Sequence, residues 1–431
     1  MLRICLLVVL LNSVFNNLSA QSLYFPPVGS STWDTLSPID LGWCPDQIPP
    51  LYSYLDSQNT KAFLVVKDGK IVLEKYFGAF TKDSLWYWAS AGKSLTATLV
   101  GIAQQEGHLN ISDTTSQYLG TGWTSLTSQE EDAITIRHQL TMTSGLDDGV
   151  ADKDCTIDTC LKYLSPPGNR WAYHNAPYTL LDGVIQQSTG LSINQFFQTR
   201  IASVTGMTGA YYPIGYNNVF VSTPRSLARF GLLIQNKGIW NQTGVLTDTN
   251  YFYQMTHSSQ NLNLAYGYLW WLNGGPTFMV PGSQITFAGS YAPDAPSDMF
   301  SALGKNGQIL SIAPSKGLFF IRMGDGDGTG LVPIVLPNEI WKRLNLVMCQ
   351  PSALYPEAEE NNTLQIYPNP AQQTVLVKSK KEKQWELFSA TGVKLGTYPT
   401  ETPVNLNSLS PGIYFIRTQL GVFSRPLIIQ P

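Results

Sequence analysis

Two short clusters in this chain carry side chains able to do nucleophilic chemistry. The first is Ser90-Ala91-Gly92-Lys93. A helix starting near Ser90 places the serine and the lysine on one face, one turn apart. Its unpaired N–H groups and positive dipole end stabilise an anion beside Ser90. The same dipole end disfavours protonated Lys93 and pushes it toward the neutral base that can deprotonate a serine. The second cluster is Tyr173-His174-Asn175, on a loop that begins Pro166-Pro167-Gly168. One residue separates Tyr173 from Asn175, so both can face one cavity. A tyrosine near an ammonium can ionise and relay a proton. Asn175 can donate to a substrate carbonyl and hold Lys93 through its oxygen. A third stretch, Ser301-Ala302-Leu303-Gly304 with Lys305-Asn306-Gly307-Gln308, reads as a strand and its turn. Gly304 lets a substrate lie against the strand edge. The Lys305 N–H can then join that of Ser90 as an oxyanion donor, each such donor being worth roughly 10²–10³ in rate. Taken singly, each cluster also has a bland reading: a polar helix start, an aromatic loop on the core, an ordinary hairpin.

The elements around them follow from periodicity. Residues 63–67 and 70–74 are β-rich runs joined by Asp68-Gly69, a two-residue hairpin. Ala91, Leu95, Leu99, Ile102 and Ala103 recur at helical spacing up to Gly107. From about 110 to 250 the pattern is mostly helical, with Thr223-Pro224 capping a helix that runs to Gly238. Strands return at 299–303, 308–312 and 317–322, and a last helix spans 335–348. Strands at both ends of a helical middle call for one antiparallel sheet built from both ends and covered by helices. After a linker at 351–362, short runs with turn residues between them describe a small β-sandwich.

Composition narrows the class. Lysine and arginine number 27 against 30 acidic residues, so a duplex nucleic-acid binder is excluded. The start, Met1-Leu2-Arg3 with an apolar run to Leu11 and Leu18-Ser19-Ala20, reads as a secretory signal peptide cleaved after Ala20. That run is too short to span a bilayer, and no transmembrane segment is expected. Four cysteines remain, Cys44, Cys155, Cys160 and Cys349, which suggests two disulfides with three possible connectivities. Cys155–Cys160 as a local staple and Cys44–Cys349 between the terminal helices are the expected pairs. No metal spacing is present. Asp325-Gly326-Asp327-Gly328 is read as a solvated turn rather than a calcium loop. The histidines His108, His138, His174 and His257 lack a nucleophile-elbow context and are read as structural, His174 at the cavity rim. Trp270 and Trp271 are read as core, Trp88 as a possible platform beside Ser90, and Tyr211 and Tyr212 as pocket lining.

Ser90-x-x-Lys93, then Ile134-Thr135-Ile136-Arg137-His138-Gln139-Leu140 with Thr143-Ser144-Gly145-Leu146, then Tyr173-x-Asn175, stand in the order of a known set. Over about 45–349 the chain resembles the serine β-lactamase and penicillin-binding-protein superfamily, most of all its class C and related esterase branch. Residues 63–107 and 302–314 are also similar to the aminohexanoate-dimer hydrolases of that branch. The resemblance implies an α+β fold, an antiparallel sheet flanked by helices plus a helical subdomain. It implies Ser90 as the acylated nucleophile, Lys93 and Tyr173 as bases, Asn175 as orienter, and no cofactor. One departure matters. The family's third motif usually begins with Lys or His, and here it reads Ala302-Leu303-Gly304. No side-chain cation stands at 302 to bind a substrate carboxylate, unless Lys305 substitutes, which favours an ester or amide substrate. The alternatives are a β-lactamase or D-alanyl-D-alanine carboxypeptidase acting on cell-wall-like peptides, and a catalytically silent surface binding module.

The tail has its own resemblance. Leu364-Gln365-Ile366-Tyr367-Pro368-Asn369-Pro370, Leu387-Phe388-Ser389-Ala390-Thr391-Gly392 and Pro411-Gly412-Ile413-Tyr414-Phe415-Ile416-Arg417 resemble the C-terminal sorting domain of type IX secretion substrates of Bacteroidota. This implies the type IX machinery as a partner and a secreted or outer-membrane-surface location. The expected partition is a signal peptide at 1–20, a hydrolase domain at 21–350, a linker at 351–362 and a sorting domain at 363–431.

Overall fold

The computed structural model describes residues 23–326 and 332–349. In the tail it describes 365–369, 371–379, 383–389, 393–418 and 424–429. The expected signal peptide, the 351–362 linker and the second half of the Asp325-to-Gly328 turn lie outside the described residues. Asp325 itself pairs with Lys61 at 2.8 Å.

Six antiparallel strands form the main sheet. Their order is Lys70–Tyr76, Thr60–Lys67, Leu318–Gly324, Gln308–Ala313, Phe300–Gly304 and Trp271–Leu272. The N-terminal hairpin therefore pairs with strands contributed by the far end of the domain, as the order of elements requires. Asp68 and Gly69 both take positive φ, 50° and 84°, which suits a tight hairpin turn. Strands Gln308–Ala313 and Leu318–Gly324 are buried at every position, so they read as unbroken apolar runs rather than alternating ones.

Neighbouring side chains show how the two faces are covered. Phe320 meets Trp341 of helix Leu336–Val347 at 5.6 Å. Phe319 points to the other face and meets helix Pro224–Gln235 at Gly231. A Cβ at Gly231 would lie 2.8 Å from that ring, so only glycine permits this approach. Helix Ile48–Ser57 packs beside Leu336–Val347, and the Cys44–Cys349 disulfide ties their ends. Cys155–Cys160 is the second bridge, so both expected pairs are present.

Helix Gly92–Gln105 differs from its reading as an amphipathic element. It is buried on all sides from Gly92 to Ala103, because the helical part of the chain closes over it. Gly101 admits the ring of Tyr251, whose hydroxyl donates to Ala97 O at 2.6 Å. The middle of the chain also contains strands that periodicity did not reveal. Gly209–Ile214 and Asn217–Ser222 form a hairpin that pairs with Trp86–Tyr87. Pro213 is tolerated there because its strand lies at the edge of that sheet.

The tail forms sheets of three and four strands. Val375, Val377, Trp385, Leu387, Ile416 and Leu427 make a buried cluster of its own. Lys394–Pro399 and Val404–Asn405 add to the strands read from sequence. Among the described residues no helix is long and apolar enough to cross a membrane.

Candidate active site

The chain reaches Ser90 through a sharp bend. Trp88 is fully buried; its N–H donates to Phe220 O and its indole to Ser222 Oγ, both at 2.8 Å. It is therefore part of the core that anchors the bend, and not a ligand platform. Ala89 follows in the left-handed region, φ 47°. For a residue with a Cβ this costs on the order of 1 kcal/mol or more, and such strain tends to collect at functional sites. A single 3₁₀ turn, Ala89–Ala91, then leads into helix Gly92–Gln105. Ser90 thus sits just before the helix rather than at its first residue. The three-residue spacing still brings the pair together, and Lys93 Nζ donates to Ser90 Oγ at 2.8 Å.

Lys93 is buried, and burial pulls its ammonium down to about 7. Two charges modify this in opposite directions: Asp154 favours the protonated form and Lys305 disfavours it. Burial raises the Tyr173 phenol well above its usual range, and the nearby Ser90 offsets only part of that rise. Tyr173 therefore stays protonated near neutrality, against the expectation that Lys93 would help it ionise. Its ring stacks on Trp271 at 5.7 Å, with 28° between the planes.

Asn175 departs from its expected part. Its Nδ2 donates to Asp154 Oδ1 at 2.6 Å, and its buried Oδ1 has no partner. The amide does not hold Lys93. Asp154 escaped the sequence reading because it lies 19 positions before Tyr173 with no motif around it. Its place beside Cys155, in the stapled loop, was the available signal.

Gly304 lies against the nucleophile turn. A Cβ there would stand 2.4 Å from Trp88 O, 2.9 Å from Ala91 N and 3.1 Å from Ser90 N. The glycine serves close packing of strand on turn, a stronger constraint than room for substrate. The following turn, Lys305–Gly307, is held from behind by Arg322, which is fully buried. Arg322 donates to Gly307 O at 2.6 Å and to Thr60 Oγ1 at 2.9 Å. Asn306 Nδ2 donates to the Tyr87 hydroxyl at 2.7 Å. Neither Arg322 nor Tyr87 was singled out by sequence. The Lys305 side chain is exposed and Ala302 is buried. Gly304→Ala is expected to lower kcat on an activated ester by about 10²-fold or more, because its Cβ would push the strand away from the backbone N–H groups of Ser90 and Ala91. Steady-state kinetics with a parallel melting curve checks this.

The remaining candidates fall outside the cluster. His174 is buried, without a ring partner, and burial pulls it to about 4. It is neutral at pH 7 and does not sit at a rim. His138 accepts from Thr135 N as part of a helix cap. Tyr211 is buried against Thr96, and Tyr212 is exposed.

Residues 58–332 match the family model described as Beta-lactamase, and residues 365–429 match that of the Secretion system C-terminal sorting domain. A curated relative is a beta-lactamase of Escherichia coli K12, 27% identical over 151 residues. That alignment covers 33% of this chain and 37% of the relative, so only about a third of the relative's length is spanned. Two solved structures share the fold. One is a candidate beta-lactamase from Bacteroides dorei, 18% identical with a TM-score of 0.55, covering 72% of this chain and 100% of that one. The other is a candidate 6-aminohexanoate-dimer hydrolase from Bacillus anthracis, 19% identical with a TM-score of 0.53, covering 68% and 82%. With the family match extending over more than half of its length, the chain belongs to the beta-lactamase family.

Proposed function

We propose that this chain is an exported serine hydrolase that cleaves an ester or amide through an acyl-enzyme on Ser90. The observation that carries the reading is the 2.8 Å contact between Lys93 Nζ and Ser90 Oγ in a pocket where burial brings the amine to about 7. Neutral Lys93 takes the hydroxyl proton as Oγ attacks the substrate carbonyl. The Ser90 and Lys305 N–H groups hold the oxyanion. When the intermediate collapses, the leaving group takes a proton from the Tyr173 phenol, which recovers one from Lys93. Water then attacks the acyl carbon, with Lys93 again accepting the proton and giving it to Ser90 Oγ as the acyl bond breaks, which restores the hydroxyl and the neutral amine. Protonated Tyr173 suits the part of proton carrier better than that of base. The sorting tail supplies the export reading, with the type IX machinery as partner and the cell exterior or surface as destination.

Ala302 leaves no side-chain cation for a substrate carboxylate, which favours esters and amides over β-lactams. A wall-directed carboxypeptidase or β-lactamase keeps one point in its favour, since the charge of Lys305 reaches Lys93 and stands one residue past the motif. Intact-mass spectrometry after exposure to a fluorophosphonate and to ester, amide and penicillin donors separates the readings. A fluorophosphonate adduct and turnover of the ester or amide are expected. A lasting penicillin adduct selects the wall-directed reading, and no adduct with any donor selects the silent binding module.

A further inference from the structure

Once Lys93 has accepted a proton it is an ammonium in a buried place. Among the described residues its hydrogen-bond partner is Ser90 Oγ, and it forms no ion pair. The carbonyl of Asn175 is not bonded to it. What does lie against it is aromatic. Lys93 Nζ stands 4.2 Å from the ring centroid of Tyr178 and 5.1 Å from that of Tyr173. Both distances are within the range at which a cation is attracted to the face of a ring, and desolvation strengthens the attraction.

We propose that Tyr178 is a positioning residue whose ring face receives the ammonium that Lys93 becomes during turnover. This rests on the reading of Lys93 as the base. The ring is held at its hydroxyl end and through its backbone segment. The Tyr178 hydroxyl lies near Thr96, one turn beyond Lys93 on the same helix, and Thr96 partly offsets the rise that burial gives the phenol. Thr96 in turn is bonded to the Tyr211 hydroxyl at 3.2 Å. The segment Asn175–Thr179 that carries Tyr178 is held by Gln139, whose Nε2 donates to Pro177 O at 2.7 Å. Lys93 is set by its own helix and Tyr178 by the segment that Gln139 holds, and the two elements meet beside Thr96. The groups acting on Lys93 are then Ser90, the rings of Tyr173 and Tyr178, and the charges of Asp154 and Lys305. Ser90 and the rings hold its position, and the rings together with the two charges set how strongly it holds a proton.

The test follows the titration of Lys93 by NMR of ¹³C-labelled lysine ε-carbons, assigned with Lys93→Met. Tyr178→Leu removes the ring and is expected to move the titration down by about one pH unit. Tyr178→Phe keeps the ring and is expected to leave it in place. Tyr178→Met serves in place of Tyr178→Leu if the latter does not fold, as judged by its melting curve. A merely structural part has the opposite signature: a loosened pocket admits water and moves Lys93 upward, toward the ordinary lysine value. An upward or absent shift in the leucine or methionine variant, or an equal shift in the phenylalanine variant, overturns the proposal. Failure of the parent reading looks different, because wild-type Lys93 itself would then titrate as an ordinary lysine.

Discussion

Ser90→Ala is expected to lower kcat on a p-nitrophenyl acyl ester by roughly 10⁴–10⁶-fold, the range found when a serine nucleophile is removed. Melting temperature should hardly change. The hydroxyl's hydrogen-bond partner is Lys93, and neither Lys93 nor the adjacent Tyr173 depends on Ser90 for its packing. Any residual rate should come from binding and the oxyanion donors, which alanine leaves in place. The variant should also fail to take up a fluorophosphonate. Near-normal turnover in it would mean that another group attacks the substrate.

Replacing Lys93, the proposed base, should cost less than replacing Ser90, and it carries a pH signature. Lys93→Met keeps the length of the side chain and loses the amine. A loss of about 10²–10⁴-fold in kcat is expected. Lys93→Arg should fare no better, because a guanidinium does not give up its proton. On the proposed mechanism the neutral amine is the working form. Activity should be low below the folded value of about 7 and rise as pH passes through it. That acidic limb should be absent from the residual activity of Lys93→Met. The stability sign is the reverse of a salt bridge. The folded value, about 7, lies below the roughly 10.4 of an unfolded lysine. Burial therefore destabilises the fold fully below about pH 7, and the cost fades as pH rises toward 10. Lys93→Met should raise the melting temperature, more at pH 6 than at pH 9. Equal gains at both pH values would show that the amine was never depressed by burial.

Much of this arrangement could be read from the chain, for reasons that differ by residue. Ser90 and Lys93 were legible because a single helical turn fixes their separation, and a 3₁₀ start instead of an α-helical one did not disturb it. The Cys44–Cys349 disulfide was legible because the strand order brings the ends of the domain together, and Cys155–Cys160 because the two cysteines lie five positions apart. Asn175 was placed at the site, yet its hydrogen bonds were misassigned. A neighbouring carboxylate claims the amide nitrogen, and that carboxylate is supplied by a loop with no motif of its own. Tyr178 was passed over because an aromatic after Pro177 looks like any core residue until the lysine above it is seen. Arg322 reads as part of an apolar strand, and only the fold shows that it closes the turn behind Lys305. Hairpin 209–222 was hidden by Pro213 and by paired asparagines, which local propensity assigns to loops. In the misses at Asn175, Tyr178 and Arg322 the deciding partner is distant in sequence.

The titration of Lys93 in the wild-type protein is the most direct measurement of whether an uncharged amine stands beside Ser90. A midpoint near 7 in the lysine ε-carbon NMR signal that vanishes in Lys93→Met is the expected result. A midpoint in the ordinary lysine range, with full esterase activity at pH 7, would contradict it.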